Sequence, residues 1–182
     1  MGGGGIEGMV LFAATAGLFL LSSGLQTALI FVQQSGGRLT GWWGPHAFSI
    51  YNAITLIPWA AFVLAHLTLQ FTQHPSLPWE SLWIQVIGGI LISFGVSLAL
   101  WVAILMGPAR LNGLRHFAPE SREERVTTGP FQWLKNPMYT GYFLVLLGIA
   151  LWMSSLFDLA IALESLLLLN GFQARIENRR LS

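Results

Sequence analysis

Three apolar runs of membrane-spanning length stand out along the chain. They are Gly8 to Val32, Tyr51 to Phe71 and Leu82 to Met106, and each ends in residues that favour turns: Ser35-Gly36-Gly37, His74-Pro75 and Gly107-Pro108. About 20 apolar residues suffice for a helix to cross the hydrocarbon layer, so each run predicts one span. A fourth apolar region, Pro137 to Phe172, is too long for one helix, and "MSSLFD" (Met153 to Asp158) divides it. The expected spans are therefore 8–32, 51–71, 82–106, 137–155 and 157–174, the last two paired as a helical hairpin. The fold class is all-α: a polytopic membrane bundle of about five transmembrane helices in a single integral membrane domain.

Composition points the same way, with 54% hydrophobic and 9% charged residues against about 25% charged in ordinary soluble domains. The placement of charge then orients the chain. All nine Lys and Arg fall at Arg38, in the 107–136 loop (Arg110, Arg115, Arg122, Arg125, Lys135) or in the tail (Arg175, Arg179, Arg180). With five spans they share one side, and Glu7, Glu80 and Asp158 lie on the other. The positive-inside tendency makes the basic side cytoplasmic, with the N-terminus outside. Trp42, Trp43, Trp79, Trp83 and Trp152 fall near span ends, where an amphipathic ring is favoured. The apolar N-terminal stretch lacks preceding Lys or Arg, so it is expected to be retained as a span and not cleaved as a signal.

The absence of cysteine excludes disulfides, thiolate metal sites and a cysteine nucleophile, and no metal site is expected. Nucleic acid is not an expected partner. Polar chemistry can be assembled at length in two places, the 107–136 loop and the 175–182 tail.

The join "TTGPFQWLKNPMYTGYFLVLLGIALW" (Thr127 to Trp152) carries the densest signal. Asn136 is a favoured N-cap and Pro137 suits the first helical position, so the fourth span starts there. Its first-turn N–H groups and positive dipole end make a place for an anionic group. Phe131, Trp133 and Tyr139 surround that end, and aromatic faces stack on a base or attract a cation. A ligand with a carboxylate, a positive centre and an aromatic base would suit it.

"GPFQWLKNPMYTGY" resembles the Gly-Pro-Tyr-x-x-x-Arg-His-Pro-x-Tyr-x-Gly segment of the isoprenylcysteine carboxyl methyltransferases, and "NPMYTGY" is similar to the Asn-Pro-Met-Tyr segment of the phospholipid N-methyltransferases. Both are integral membrane enzymes of one superfamily. A downstream acidic signature is matched by "ARIENRRL" with Glu177. Three positions depart from the pattern: Asn136 for histidine and Lys135 for arginine relative to the carboxyl methyltransferases, and Asn178 for a second glutamate. The Phe-Gly-x-x-Tyr tail often seen in that family does not follow.

The resemblance implies S-adenosylmethionine as cofactor, held by Arg125, Val126, Phe131, Asn136, Pro137, Met138, Tyr139 and Glu177, with Arg175 for an anionic head group. It implies methyl transfer to a lipid-linked carboxylate or amine at the cytosolic interface, the partner being a lipid or prenylated small molecule. A bacterial inner membrane is preferred over the endoplasmic reticulum. No catalytic residue is assigned; His116 and Glu120 are candidate bases for an amine acceptor. His66 and Glu164 are ionisable groups within spans, each a possible partner of the other; the favoured alternatives are a protonated Glu164 bonded to a neighbouring helix and a neutral His66 bonded to a backbone carbonyl at the kink Pro58 permits. Competing readings are a non-enzymatic protein that keeps the fold and a small transporter using His66 and Glu164. Gly88, Gly89 and Gly95 are expected to serve close helix packing.

Overall fold

The computed structural model describes residues 4–72, 75–78, 81–107, 111, 113–117 and 126–173. The long helices are α1 (Gly4–Gln34), α3 (Ala47–Leu69), α4 (Leu82–Met106), α5 (Pro137–Trp152) and α6 (Leu156–Ser165), which continues as a π-helical segment, Leu166–Gln173. A short helix, α2 (Arg38–Trp43), and a 3₁₀ turn, Gly44–His46, lead into α3. Among the described residues no strand forms; one isolated bridge joins Ser76 and Ser155. Four stretches are long and apolar enough to cross a membrane: Ile6–Gln34, Arg38–Leu69, Leu82–Met106 and Leu156–Gln173. Helix α5 is shorter, at 16 residues. The architecture is an all-helical membrane bundle ending in a helical hairpin.

Large apolar side chains such as Leu64, Trp83, Ile90 and Ile104 point outward, as lipid-facing surfaces require. Several hydroxyls in these helices satisfy themselves locally. Thr15, Ser22, Thr68, Ser93 and Ser97 each donate to the carbonyl four residues back. Helix α3 runs through Pro58 without ending.

The core joins Phe19 of α1, Phe62 and Leu69 of α3, Leu146 of α5, and Ile161 and Leu169 of the last limb. Trp59 meets Phe19 and Tyr142 edge to face, at centroid distances of 5.6 and 5.7 Å, a favoured aromatic geometry. Its indole N–H donates to Gln26 Oε1 at 3.2 Å.

Helices α4 and α5 run antiparallel at backbone contact. A Cβ on Gly95 would fall 2.7 Å from the Gly141 carbonyl oxygen, and one on Gly88 2.7 Å from that of Gly148. On each helix the two glycines are seven residues apart, so they repeat on one face and let the backbones meet. Gly89 faces the Trp152 ring in the same way. All three glycines expected to serve packing therefore do so.

The far end of the hairpin is fastened differently. Ser155 caps α6 by accepting from the Asp158 N–H at 3.2 Å, and the turn before it is held by segment 75–77. Leu77 donates to the Ser154 carbonyl (2.7 Å) and Leu156 to that of Pro75 (3.0 Å). His66 meets Asp158 here: Nε2 lies 2.6 Å from Oδ1, which also accepts from Gln70 Nε2 at 2.9 Å. His66 thus takes a partner, Asp158, that is neither the possible partner Glu164 nor the backbone carbonyl favoured from sequence. Glu164 lies six residues further along the same limb, about 9 Å at helical rise, and its buried Oε1 has no hydrogen-bond partner among the described residues.

Candidate functional site

The site is built where α5 begins. Residues 129–132 form a 3₁₀ turn, and Gly129 sits at φ +62° with its α-carbon pressed on α4. A Cβ there would lie 2.9 Å from Leu105 Cδ1 and 3.4 Å from the Trp101 indole. The left-handed φ favours glycine, and a larger residue would also press on these two side chains. The buried Pro130 closes the turn, its carbonyl accepting from the N–H groups of Trp133 (3.2 Å) and Leu134 (2.9 Å). Val126 and Phe131 are half-buried on this segment, whereas Trp133 and Lys135 are exposed.

Asn136 occupies the N-cap position and Pro137 the first helical position, but the Asn136 side chain makes no capping bond. This corrects the expectation of a side-chain cap, and the backbone gives the reason. Ser81 and Ser155, with ψ of 150° and 123°, do cap their helices, whereas Asn136 has ψ 72°. A cap needs an extended backbone to aim its oxygen at the first-turn N–H groups. The Asn136 carbonyl instead accepts from the Thr140 N–H and hydroxyl, both at 3.1 Å. The positive end of a 16-residue helix is therefore left uncapped by the residue best placed to cap it.

Tyr139 packs against the core, and its carbonyl accepts from Asn170 Nδ2 at 3.4 Å. Asn170 and the buried Gln173 belong to the π-helical segment, which contacts both α5 and α1. These two residues were not singled out from sequence. The available signal was the polar pair three apart in "LLLLNGFQ", interrupting an apolar run just before the basic tail; π-helical turns recur at functional sites.

His116 is buried and built into the end of α1. Its carbonyl accepts from Gln33 Nε2 at 3.2 Å, and its Nδ1 lies 3.4 Å from Gln34 Nε2. Gln33 also exchanges bonds with Thr40 at 2.6 and 3.1 Å. Phe117 packs on Phe48 and Tyr51, with centroids 5.7 and 5.0 Å away. The loop between α4 and α5 is thus fastened to α1 and α3 at one point and to α4, through Gly129, at another. Gln33→Ala is expected to cost about 1–2 kcal/mol by leaving these groups unpaired. Thermal unfolding of the purified protein measures this loss.

Of the residues expected to hold a cofactor, Val126, Phe131 and Asn136 to Tyr139 lie on one continuous segment, with Asn170 added from the last limb. Arg125, Glu177 and Arg175, and the candidate base Glu120, lie outside the described residues. His66 is at the opposite end of the bundle. Among the described residues no group of His, Asp and Glu could hold a metal ion.

The region from α4 onward is also the part that matches known proteins. Residues 83–182 match the family model for phospholipid methyltransferase. The chain belongs to the phospholipid methyltransferase family. It is also similar to a protein-S-isoprenylcysteine O-methyltransferase from Xenopus laevis, with 29% identity over 93 residues. That match covers 51% of this chain and 30% of the relative, so the chain spans under a third of the relative's length. No solved structure matches the chain. The phospholipid methyltransferase match takes in α4, the Gly129 turn, the α5 start and the last limb together, the elements that meet at the site.

Proposed function

We propose that this protein transfers a methyl group from S-adenosylmethionine to a lipid-linked carboxylate or amine at the cytosolic membrane interface. The observation that carries this reading is the start of α5, which Asn136 does not cap and which half-buried Phe131 and Tyr139 flank, in a chain of the phospholipid methyltransferase family. The chemistry of these groups fits the cofactor. The first turn of α5 suits its carboxylate, and Phe131 and Tyr139 suit its adenosine and positive centre. Glu177 would accept from its amino group and Arg175 would take an anionic head group. Val126, Pro137 and Met138 supply apolar walls, and Arg125 a further positive charge. All nine basic residues on one side make that side cytoplasmic in this reading.

Bound cofactor supplies an electrophilic methyl group. Displacement at such a carbon needs alignment and exclusion of water more than acid–base help. The residues described have that character: a rigid turn on α4, aromatic walls and few ionisable groups. A carboxylate acceptor needs no base, whereas an ammonium must first lose a proton.

The test is calorimetric titration of S-adenosylhomocysteine into the detergent-purified protein, followed by labelled-methyl transfer into a lipid extract. Tyr139→Ala and Glu177→Ala are each expected to weaken binding about tenfold, roughly 1.4 kcal/mol, with helical circular dichroism unchanged. Absence of binding by the unaltered protein would refute the reading.

A further inference from the structure

The winding of the last limb decides which side chains it turns inward beside α5. Ile161 and Ser165 are both fully buried. In an uninterrupted α-helix Phe172 would continue their face, three turns after Ile161 and two after Ser165. Gln173 would fall at the edge of that face, two turns after Leu166, which is 37% exposed. The structure has the reverse: Phe172 is 59% exposed and Gln173 1%. The π-helical segment Leu166–Gln173 is the cause. Its wider i→i+5 bonding takes more residues for each turn than the α-helix does, so the inward face passes on by one residue, from phenylalanine to glutamine.

The same winding sets Gln173 beside the candidate site. Asn170 Nδ2 reaches the Tyr139 carbonyl at 3.4 Å, which fixes where the limb lies against the antiparallel α5. Three residues on along the limb is Gln173, and three residues back along α5 is Asn136, each step about 4.5 Å at helical rise. Gln173 is therefore level with the α5 start that Asn136 leaves without a side-chain cap. Acyl chains accommodate Phe172 as well as the bundle interior would, but they offer an amide no hydrogen bond. A primary amide carries two donor N–H groups and an acceptor oxygen, so one side chain can serve a carboxylate and an ammonium group together.

We propose that Gln173 is a ligand-binding residue of this site, turned inward by the π winding to hold the amino-acid end of the cofactor. The assignment rests on the methyl-transfer reading above. The first-turn N–H groups of α5 and the Gln173 amide N–H share the carboxylate, and the amide oxygen accepts from the ammonium group. An ammonium group has three N–H bonds, which leaves room for Gln173 beside Glu177. Phe131 and Tyr139 are then left to the nucleoside.

The test compares two ligands that differ at that end: S-adenosylhomocysteine, and methylthioadenosine, which keeps the nucleoside and the thioether sulfur but lacks the amino-acid group. Gln173→Met keeps the side-chain length and removes the amide. Calorimetric titration of the detergent-purified protein, extended to millimolar ligand, is expected to show S-adenosylhomocysteine weakened about tenfold and methylthioadenosine unchanged within about twofold, with helical circular dichroism intact. A packing role would move both ligands together, so an equal loss for the two, or no loss for either, overturns the assignment. The winding has its own readout, because the chain has no cysteine. A nitroxide at Phe172→Cys is expected to be as accessible to oxygen in vesicles as one at Leu167→Cys, where the native side chain is 70% exposed; a label at 172 shielded relative to 167 overturns the π winding. If S-adenosylhomocysteine does not bind the unaltered protein, the methyl-transfer reading and the Gln173 assignment fall together, whereas binding without ligand discrimination by Gln173→Met sinks the assignment alone.

Discussion

Gly148→Leu is expected to separate α4 from α5 and to destabilise the protein by about 3 kcal/mol or more, at the upper end of overpacking costs. The added Cβ alone would sit 2.7 Å from the Gly88 carbonyl oxygen and 2.8 Å from the Ile92 nitrogen. These are backbone atoms, so no rotamer change relieves the contact. Within lipid the helices associate through such close packing, because burying apolar surface gains nothing against acyl chains. The consequence reaches the functional end, since Trp101 and Leu105 of α4 seat the Gly129 turn. Loss of S-adenosylhomocysteine binding should therefore accompany the fall in melting temperature. Gly17→Ala is the control. Nothing lies within 4 Å of its Cβ position, and replacing a helical glycine there should be neutral or stabilise by about 0.5–1 kcal/mol. Equal behaviour of the two variants in thermal unfolding would contradict this account of the interface.

Asp158→Ala is expected to cost about 3 kcal/mol. The carboxylate is 1% exposed and accepts from both His66 and Gln70, so its removal leaves two donors of α3 and its C-terminal turn without their acceptor in a medium that cannot replace it. Asp158→Asn keeps an acceptor oxygen and should cost less. A double-mutant cycle with His66→Ala separates the pair from its surroundings. Coupling above about 1 kcal/mol is expected, and additive losses would show that the two residues act independently. The candidate site lies at the opposite end of α5, so binding of S-adenosylhomocysteine should survive in Asp158→Asn at temperatures below its melting point.

How much of this was legible beforehand depends on the range of the forces involved. The α4 boundaries, Leu82 and Met106, were readable because hydrophobicity and turn chemistry act locally. So was the start of α5 at Asn136 and Pro137. The start of the last limb near Asp158 had a local cue: Ser155, three residues earlier, caps the helix, and that spacing marks a helix start. The partner of His66 had no such cue. It is set by which faces of α3 and α6 meet across 92 positions of sequence. The missing Asn136 side-chain cap goes with a single ψ angle, which residue type does not reveal. Asn170 became part of the site only through the winding of the last limb beside Tyr139.

By itself the amino-acid order determined that this is an all-helical membrane protein and which part of it carries the methyltransferase-like segment. Those properties follow from transfer energies, cap preferences and charge counts, each additive over neighbouring positions. Tertiary structure alone decided that His66 answers Asp158, that Gly95 lies against Gly141, and that Asn170 joins Tyr139. Helix register arises from interlocking glycine backbones on separate segments, a steric fit that exists only once both surfaces are brought together.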